Sequence, residues 1–231
     1  MNLVDLPELV LVAIFKEIDV QDLILNVAVT NKKFYDIVQN NSVLWRHFSI
    51  DHEIELSLKD LQNILKHSVA FTEFLIPCAT LHFDSSNIDF LLVTELCKAK
   101  RLCWLDLTGC RLSTLCFIPF LQKIEILNLS ECSNLVSEDF EVISSLVKLD
   151  QLYISFTNIS PETVARICEG LTLTLLDTAG IPLDVNQCAR IIKPDLLYFH
   201  YTPDSPEDEL WLNGLVSREY KKLNINIYRL R

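Results

Sequence analysis

With 231 residues, half of them apolar, and a net charge of −11, the chain can bury a large core but offers no basic patch for nucleic acid or an anionic membrane surface. No apolar run approaches the ~20 residues of a membrane span, and Asp5, Pro7 and Glu8 interrupt the N-terminus where a secretory signal would be apolar. Four glycines disfavour a loop-rich β-sandwich, and eight cysteines in a chain this long suit a reduced, cytoplasmic or nuclear protein better than a disulfide framework.

Residues 3–48 carry helical periodicity in three or four short segments. A first helix follows Leu6-Pro7 and is expected to turn Leu9, Ile14 and Ile18 inward. Asp19 can cap a second, with Leu23, Val27 and Ala28 in register. Thr30 or Asn31 starts a third, carrying Phe34 and Ile37, and Ser42 can cap a last turn bearing Leu44 and Trp45. The stretch from Leu9 to Phe15 is apolar at every position, so it surrounds its helix rather than forming one stripe. A bundle of this size has too little core to cover it, which predicts that something else does.

The anchors Leu6-Pro7-Glu8, Ile14-Phe15, Asp22-Leu23 and Leu44-Trp45 resemble the F-box in identity and spacing. Phe34 stands where that family usually has tryptophan. The resemblance implies a Skp-type adaptor as partner and, through it, a cullin and a RING protein. Carried over by motif, the adaptor contacts or their direct supports are Leu6, Pro7, Leu9, Ile14, Phe15, Leu23, Leu44 and Trp45. Leu23 and Trp45 read equally well as the bundle's own core, whereas Leu6, Pro7 and Phe15 are expected at the interface.

After a connecting helical segment at 49–77, a pattern recurs. "LCWLDLTGC" from Leu102 and "IEILNLSEC" from Ile124 share apolar first, fourth and sixth places and a cysteine at the ninth. The same slots are filled from Cys78, Leu149, Leu173 and Pro194, giving steps of 24, 22, 25, 24 and 21 residues. Helix-start signals fall between them: Ser137-Glu-Asp, Ser160-Pro161 with a stop at Gly170, Asp184 and Ser205-Pro206. A strand and a helix at this period resemble leucine-rich repeats, here the cysteine-containing subtype, with Cys110 and Cys132 where asparagine often stands. Thr157 and Ile181 occupy that place later on. The expected fold is α/β: a short solenoid of about six repeats at 78–203, parallel strands concave and helices convex, after an all-α F-box bundle at 1–48. Residues 204–231 form a C-terminal helix and a segment, "LNINIYRL", that either adds an edge strand or lies over the concave face.

The cysteines read as packing groups, with Cys97, Cys116, Cys168 and Cys188 in helical stretches; no Cys-x-x-Cys occurs and the five histidines show no ligand spacing with them. No metal, cofactor or catalytic residue is expected. Asp106 and Asp177, the only acid pair to consider, lie three strands apart, roughly 15 Å at ~4.8 Å per strand, too far for paired-carboxylate chemistry.

If first, fourth and sixth places point inward, the third-place row facing out is Thr80, Trp104, Ile126, Gln151, Leu175 and Leu196. The fifth is His82, Asp106, Asn128, Tyr153, Asp177 and Tyr198, and the seventh Asp84, Thr108, Ser130, Ser155, Ala179 and His200. Trp104, Ile126, Asp106, Asn128 and Tyr153 make one candidate target-binding patch; Leu175, Asp177 and Tyr198, with Leu196, make another. The rows hold aspartates and no lysine or arginine, which favours a basic target segment over a phosphorylated one. Together the two regions resemble the substrate-recognition subunit of a Skp–cullin–F-box ubiquitin ligase, binding an unknown protein substrate. A non-ligase interaction scaffold that acts by occlusion would need the same two surfaces. "PDSPEDE" at 203–209 reads as a capped helix start, with a proline-directed phosphosite as the alternative.

Overall fold

The computed structural model describes residues 2–50, 56–77 and 85–228. Eight strands form one open sheet in sequential order, every neighbouring pair parallel. They are β1 (His47–Ser49), β2 (Glu73–Leu75), β3 (Trp104–Asp106), β4 (Ile126–Asn128), β5 (Gln151–Tyr153), β6 (Leu175–Leu183), β7 (Tyr198–Pro203) and β8 (Asn224–Ile227). The paired row His47, Glu73, Trp104, Ile126, Gln151, Leu175, Tyr198, Asn224 fixes the register, with steps of 22 to 31 residues. This is a leucine-rich-repeat solenoid.

The inward triplets explain it. Leu102, Leu105 and Leu107, then Ile124, Leu127 and Leu129, have no exposed surface, and Leu149, Leu152 and Ile154 are nearly as enclosed. Each such side chain contributes about 1.5–3 kcal/mol of burial that no single repeat could secure alone. At the eighth place the chain passes through the left-handed region, just after β3, β4 and β5 at Gly109 (φ 67°), Glu131 (φ 63°) and Phe156 (φ 56°), and within β6, at its register shift, at Gly180 (φ 85°). There the backbone N–H of Gly109, Glu131 and Phe156 donates to the carbonyl of Ser130, Ser155 and Ala179 in the next repeat, at 2.8 Å each. One residue on, the Cys110 and Cys132 thiols donate to the carbonyls of Ile76 (3.4 Å) and Leu107 (3.1 Å) one repeat back. Burial pushes the Cys132 thiol far up, and those of Cys168 and Cys188 up to about 12, so all three stay protonated packing groups. Cys116, expected in a helix, is exposed in a turn.

The α-helices among the described residues are α1 (Glu8–Phe15), α2 (Val20–Asp22), α3 (Lys32–Asn40), α4 (Leu58–Leu65), α5 (Ser85–Thr94), α6 (Ser137–Phe140), α7 (Pro161–Gly170), α8 (Val185–Ile191) and α9 (Pro206–Glu219), and the later ones start where side-chain caps allow. Ser160 accepts from the Thr163 N–H ahead of α7 (Pro161–Gly170), Asp184 from Asn186 and Gln187 ahead of α8 (Val185–Ile191), and Ser205 from Asp208 ahead of α9 (Pro206–Glu219). Lys193 caps the other end of α7, donating to the carbonyls of Cys168, Glu169 and Leu171 at 2.7, 2.8 and 2.7 Å. Among the described residues no helix is long and apolar enough to cross a membrane.

Three parts of the sequence reading change. The expected first strand, from Cys78, falls on residues of which 78–84 lie outside the described ones. The strand in fact precedes it: β2 occupies 73–75, with Phe71, Phe74 and Ile76 buried, inside the segment expected to be helical. That segment does hold a helix, Leu58–Leu65. One step earlier, Trp45, Phe48 and Ile50 form the triplet of β1, so the sheet starts inside the N-terminal bundle. Finally, the last full repeat begins at Leu196, two residues later than expected, because Leu196, Phe199 and Tyr201 form the buried triplet. The C-terminal segment adds β8 at the edge of the sheet rather than lying across its face.

Candidate functional site

Two surfaces stand out. The first is on the N-terminal bundle. Its α1 (Glu8–Phe15) buries Leu11 and Phe15, four residues apart on one face. Phe15 meets Phe34 of α3 (Lys32–Asn40) edge-on at 5.4 Å between ring centroids, so phenylalanine fills the third-helix slot. The opposite face of α1 presents Leu9 (84% exposed), Val10, Ala13 and Ile14 to solvent. Leu9 and Ile14, expected inward, face outward; a helix apolar all round does not declare its buried face, and the Phe15–Phe34 contact decides it. Leu25 and Val29, on the turns that follow, are exposed as well.

The expected adaptor residues therefore divide. Pro7, Leu9 and Ile14 are exposed, and Leu6 is half-buried. The Lys33 ammonium holds the segment before α1 by donating to the carbonyls of Val4 (2.7 Å) and Leu6 (2.9 Å). Phe15, expected at the interface, is interior, as are Leu23, Leu44 and Trp45. Trp45 donates its indole N–H to the Val38 carbonyl at 2.8 Å and stacks on His67 at 3.8 Å. His67 faces Gln39 at 3.2 Å through Nε2, and burial, with Lys66 beside it, lowers its proton affinity. Asp19 and Asn31 cap the second and third helices as their side chains suggest, while Asn41, not Ser42, stands at the N-cap position of the last turn and makes no side-chain cap bond there.

The second surface is the exposed face of the sheet. In the third-place row Trp104 (36% exposed) stands between Glu73 and Ile126, and Leu175 pairs with Tyr198 (47% exposed). In the fifth-place row Asp106, Asn128, Tyr153, Asp177, His200 and Asn226 follow one another across six strands. Asp106 accepts from the Thr108 N–H (2.9 Å) and hydroxyl (2.7 Å) and from the Asn128 amide (3.2 Å). Asp177 accepts from the Ala179 N–H at 3.0 Å, and its other oxygen lies 3.7 Å from His200 Nδ1. Tyr153 donates to Gln151 at 3.1 Å, and burial together with Asp177 raises its hydroxyl pKa.

The two-residue shift moves Tyr198 to a third place and His200 to a fifth, and it buries Leu196, which leaves the second patch as Leu175, Asp177 and Tyr198. The seventh-place residues Ser130, Ser155 and Ala179 are buried rather than lining the face, and Ser155 hydrogen-bonds Ser130 at 3.0 Å. Thr80, His82 and Asp84 lie outside the described residues. Among the described residues no group of three or more histidine, cysteine or acidic side chains is placed to hold a metal.

Residues 3–51 match the F-box-like family model. The chain carries an F-box-like domain ahead of a leucine-rich-repeat solenoid. Such a domain is an adaptor-binding module. No curated protein matches the sequence. Among solved structures the chain is similar to an internalin from Listeria monocytogenes, at 12% identity over 87% of this chain and 66% of that one, with a TM-score of 0.41. It is also similar to an LRR protein from Leptospira interrogans, at 16% identity over 84% of this chain and 68% of that one, with a TM-score of 0.33. The chain thus spans just under two thirds of the internalin's length.

Proposed function

We propose that the chain is the target-recognition subunit of a Skp–cullin–F-box ubiquitin ligase, holding a Skp-type adaptor on the outer face of α1 and a protein target on the exposed face of the sheet. It performs no chemistry itself; its contribution is to keep a target lysine near the conjugating enzyme that the cullin and RING protein bring. The observation that carries this reading is the row of solvent-facing apolar side chains on α1, inside the segment that matches the F-box-like model. Apolar surface of this kind on an otherwise acidic chain is what a partner helix would cover.

Co-expression with a Skp adaptor tests it. Wild type should co-purify with adaptor and, when cullin is added, with cullin. A Leu9→Glu/Ile14→Glu variant should lose both while keeping the same circular dichroism spectrum, because both side chains already face water. Wild type that retains no adaptor overturns the reading. Adaptor retained without cullin reduces it to an interaction scaffold.

A further inference from the structure

The exposed face of the sheet has a one-sided charge. Across all eight strands the third and fifth places include Glu73, Asp106 and Asp177, two histidines, and no lysine or arginine. The carboxylates are not scattered. Glu73 is the register partner of Trp104, and Asp106 stands two residues along the same strand, so two acids flank one exposed indole. Further on, Asp177 is the register partner of Tyr153. Each group joins an aromatic face to a carboxylate, the pairing that receives a guanidinium, which stacks on the ring and hydrogen-bonds the acid in two places.

Strand spacing gives the distance between the groups. The first is centred between β2 and β3 and the second between β5 and β6, three steps apart, or about 14 Å at ~4.8 Å per strand. An extended chain crossing the strands covers that span in about four residues at ~3.3–3.6 Å each.

Resting on the reading that the sheet face holds the target, we infer that the target segment is an extended basic peptide whose two arginines stand about four positions apart, one on Trp104 with Glu73 and Asp106, the other on Tyr153 with Asp177. Phosphorylation within such a segment weakens binding, because a phosphate would meet carboxylates.

Fluorescence anisotropy of the full chain with labelled glycine–serine peptides tests the inference. The probes carry two arginines four positions apart, two adjacent arginines, or two lysines four positions apart, so that overall charge is equal. The spaced-arginine peptide should bind about tenfold tighter than the adjacent one and more tightly than the lysine peptide. Trp104→Ala or Asp177→Asn should abolish the difference, the latter preserving the acceptor that the Ala179 N–H uses. Equal affinity for all three peptides would mean attraction to a chain of net charge −11 and nothing more, and would overturn the inference, as would no binding. Adaptor co-purification is read separately: if adaptor binds and the peptides show no preference, the inference falls and the receptor reading stands.

Discussion

The inward-facing apolar side chains of the central strands are sealed, whereas those around α1 are largely displayed. On β4 the inward residue Leu127 has no exposed surface, and its outward neighbours Ile126 and Asn128 are only half-buried. On α1, seven consecutive apolar residues leave only Leu11 and Phe15 fully enclosed. The difference shows where a sequence can be read without coordinates. A strand alternates with a period of two, so an apolar triplet at the first, fourth and sixth places can face only one way. A helix that is apolar on every side has no such rule.

The sharpest test of this contrast is a pair of truncations followed by denaturant unfolding. Leu127→Ala should cost about 3 kcal/mol, the transfer term plus a cavity. Leu9→Ala should stay within ~0.5 kcal/mol of wild type, since its side chain is already in water, and should still weaken adaptor binding. Equal losses would mean that Leu9 is part of the folded core.

The left-handed eighth places give the next test. Gly180 combines a φ of 85° with a close neighbour: an added Cβ would lie 2.7 Å from Phe156 Cδ1. Gly180→Ala should cost about 2 kcal/mol in thermal unfolding. Adding Phe156→Ala should return only part of it, because the left-handed backbone would remain. At the equivalent place Glu131 already bears a side chain at φ 63°. Glu131→Gly should therefore stabilise the chain by about 0.5 kcal/mol, the relief of left-handed strain less the entropy glycine adds to the unfolded chain.

The smallest effect lies at the junction of bundle and sheet. His67 binds its proton less tightly when folded than its ordinary 6.5, chiefly through burial. Below that pH the unfolded chain therefore takes up more protons than the folded one. Stability is complete above 6.5 and should decline as the pH falls through it toward the lower folded value. His67→Phe, which keeps a ring against Trp45, should flatten that slope in unfolding curves taken across the range.

The register of β3 to β6 and the caps of α7, α8 and α9 were legible because the apolar period and the capping chemistry agreed there. The ends of the sheet were not. Phe71, Phe74 and Ile76 have the right spacing, but the step to the next strand is the longest, and Cys78, Leu81 and Phe83 offer a competing triplet nearer the expected period. At the other end the triplets from Pro194 and from Leu196 share Phe199 and differ by two residues, which preserves the alternation. What tells them apart is the burial of Leu196 and of Tyr201, a residue with a polar tip, against the exposure of Leu197. For the first surface, the sequence indicated that α1 lacked sufficient cover; which of its faces is bare depended on Phe34. For the second, register named Trp104, Asp106, Tyr153 and Asp177, but the neighbour Glu73, which joins Trp104 and Asp106, stands on β2, a strand in a segment whose pattern reads as helical.

Trp45 closes the helical bundle through its bond to Val38 and also opens the first inward triplet, two residues before β1. No linker separates the bundle from the sheet. The sheet is therefore a ruler with its zero mark fixed to the bundle and a graduation about every 4.8 Å. A ligand gripped at β6 lies about 14 Å farther along than one gripped at β3, and that offset could be altered only by inserting or deleting whole repeats.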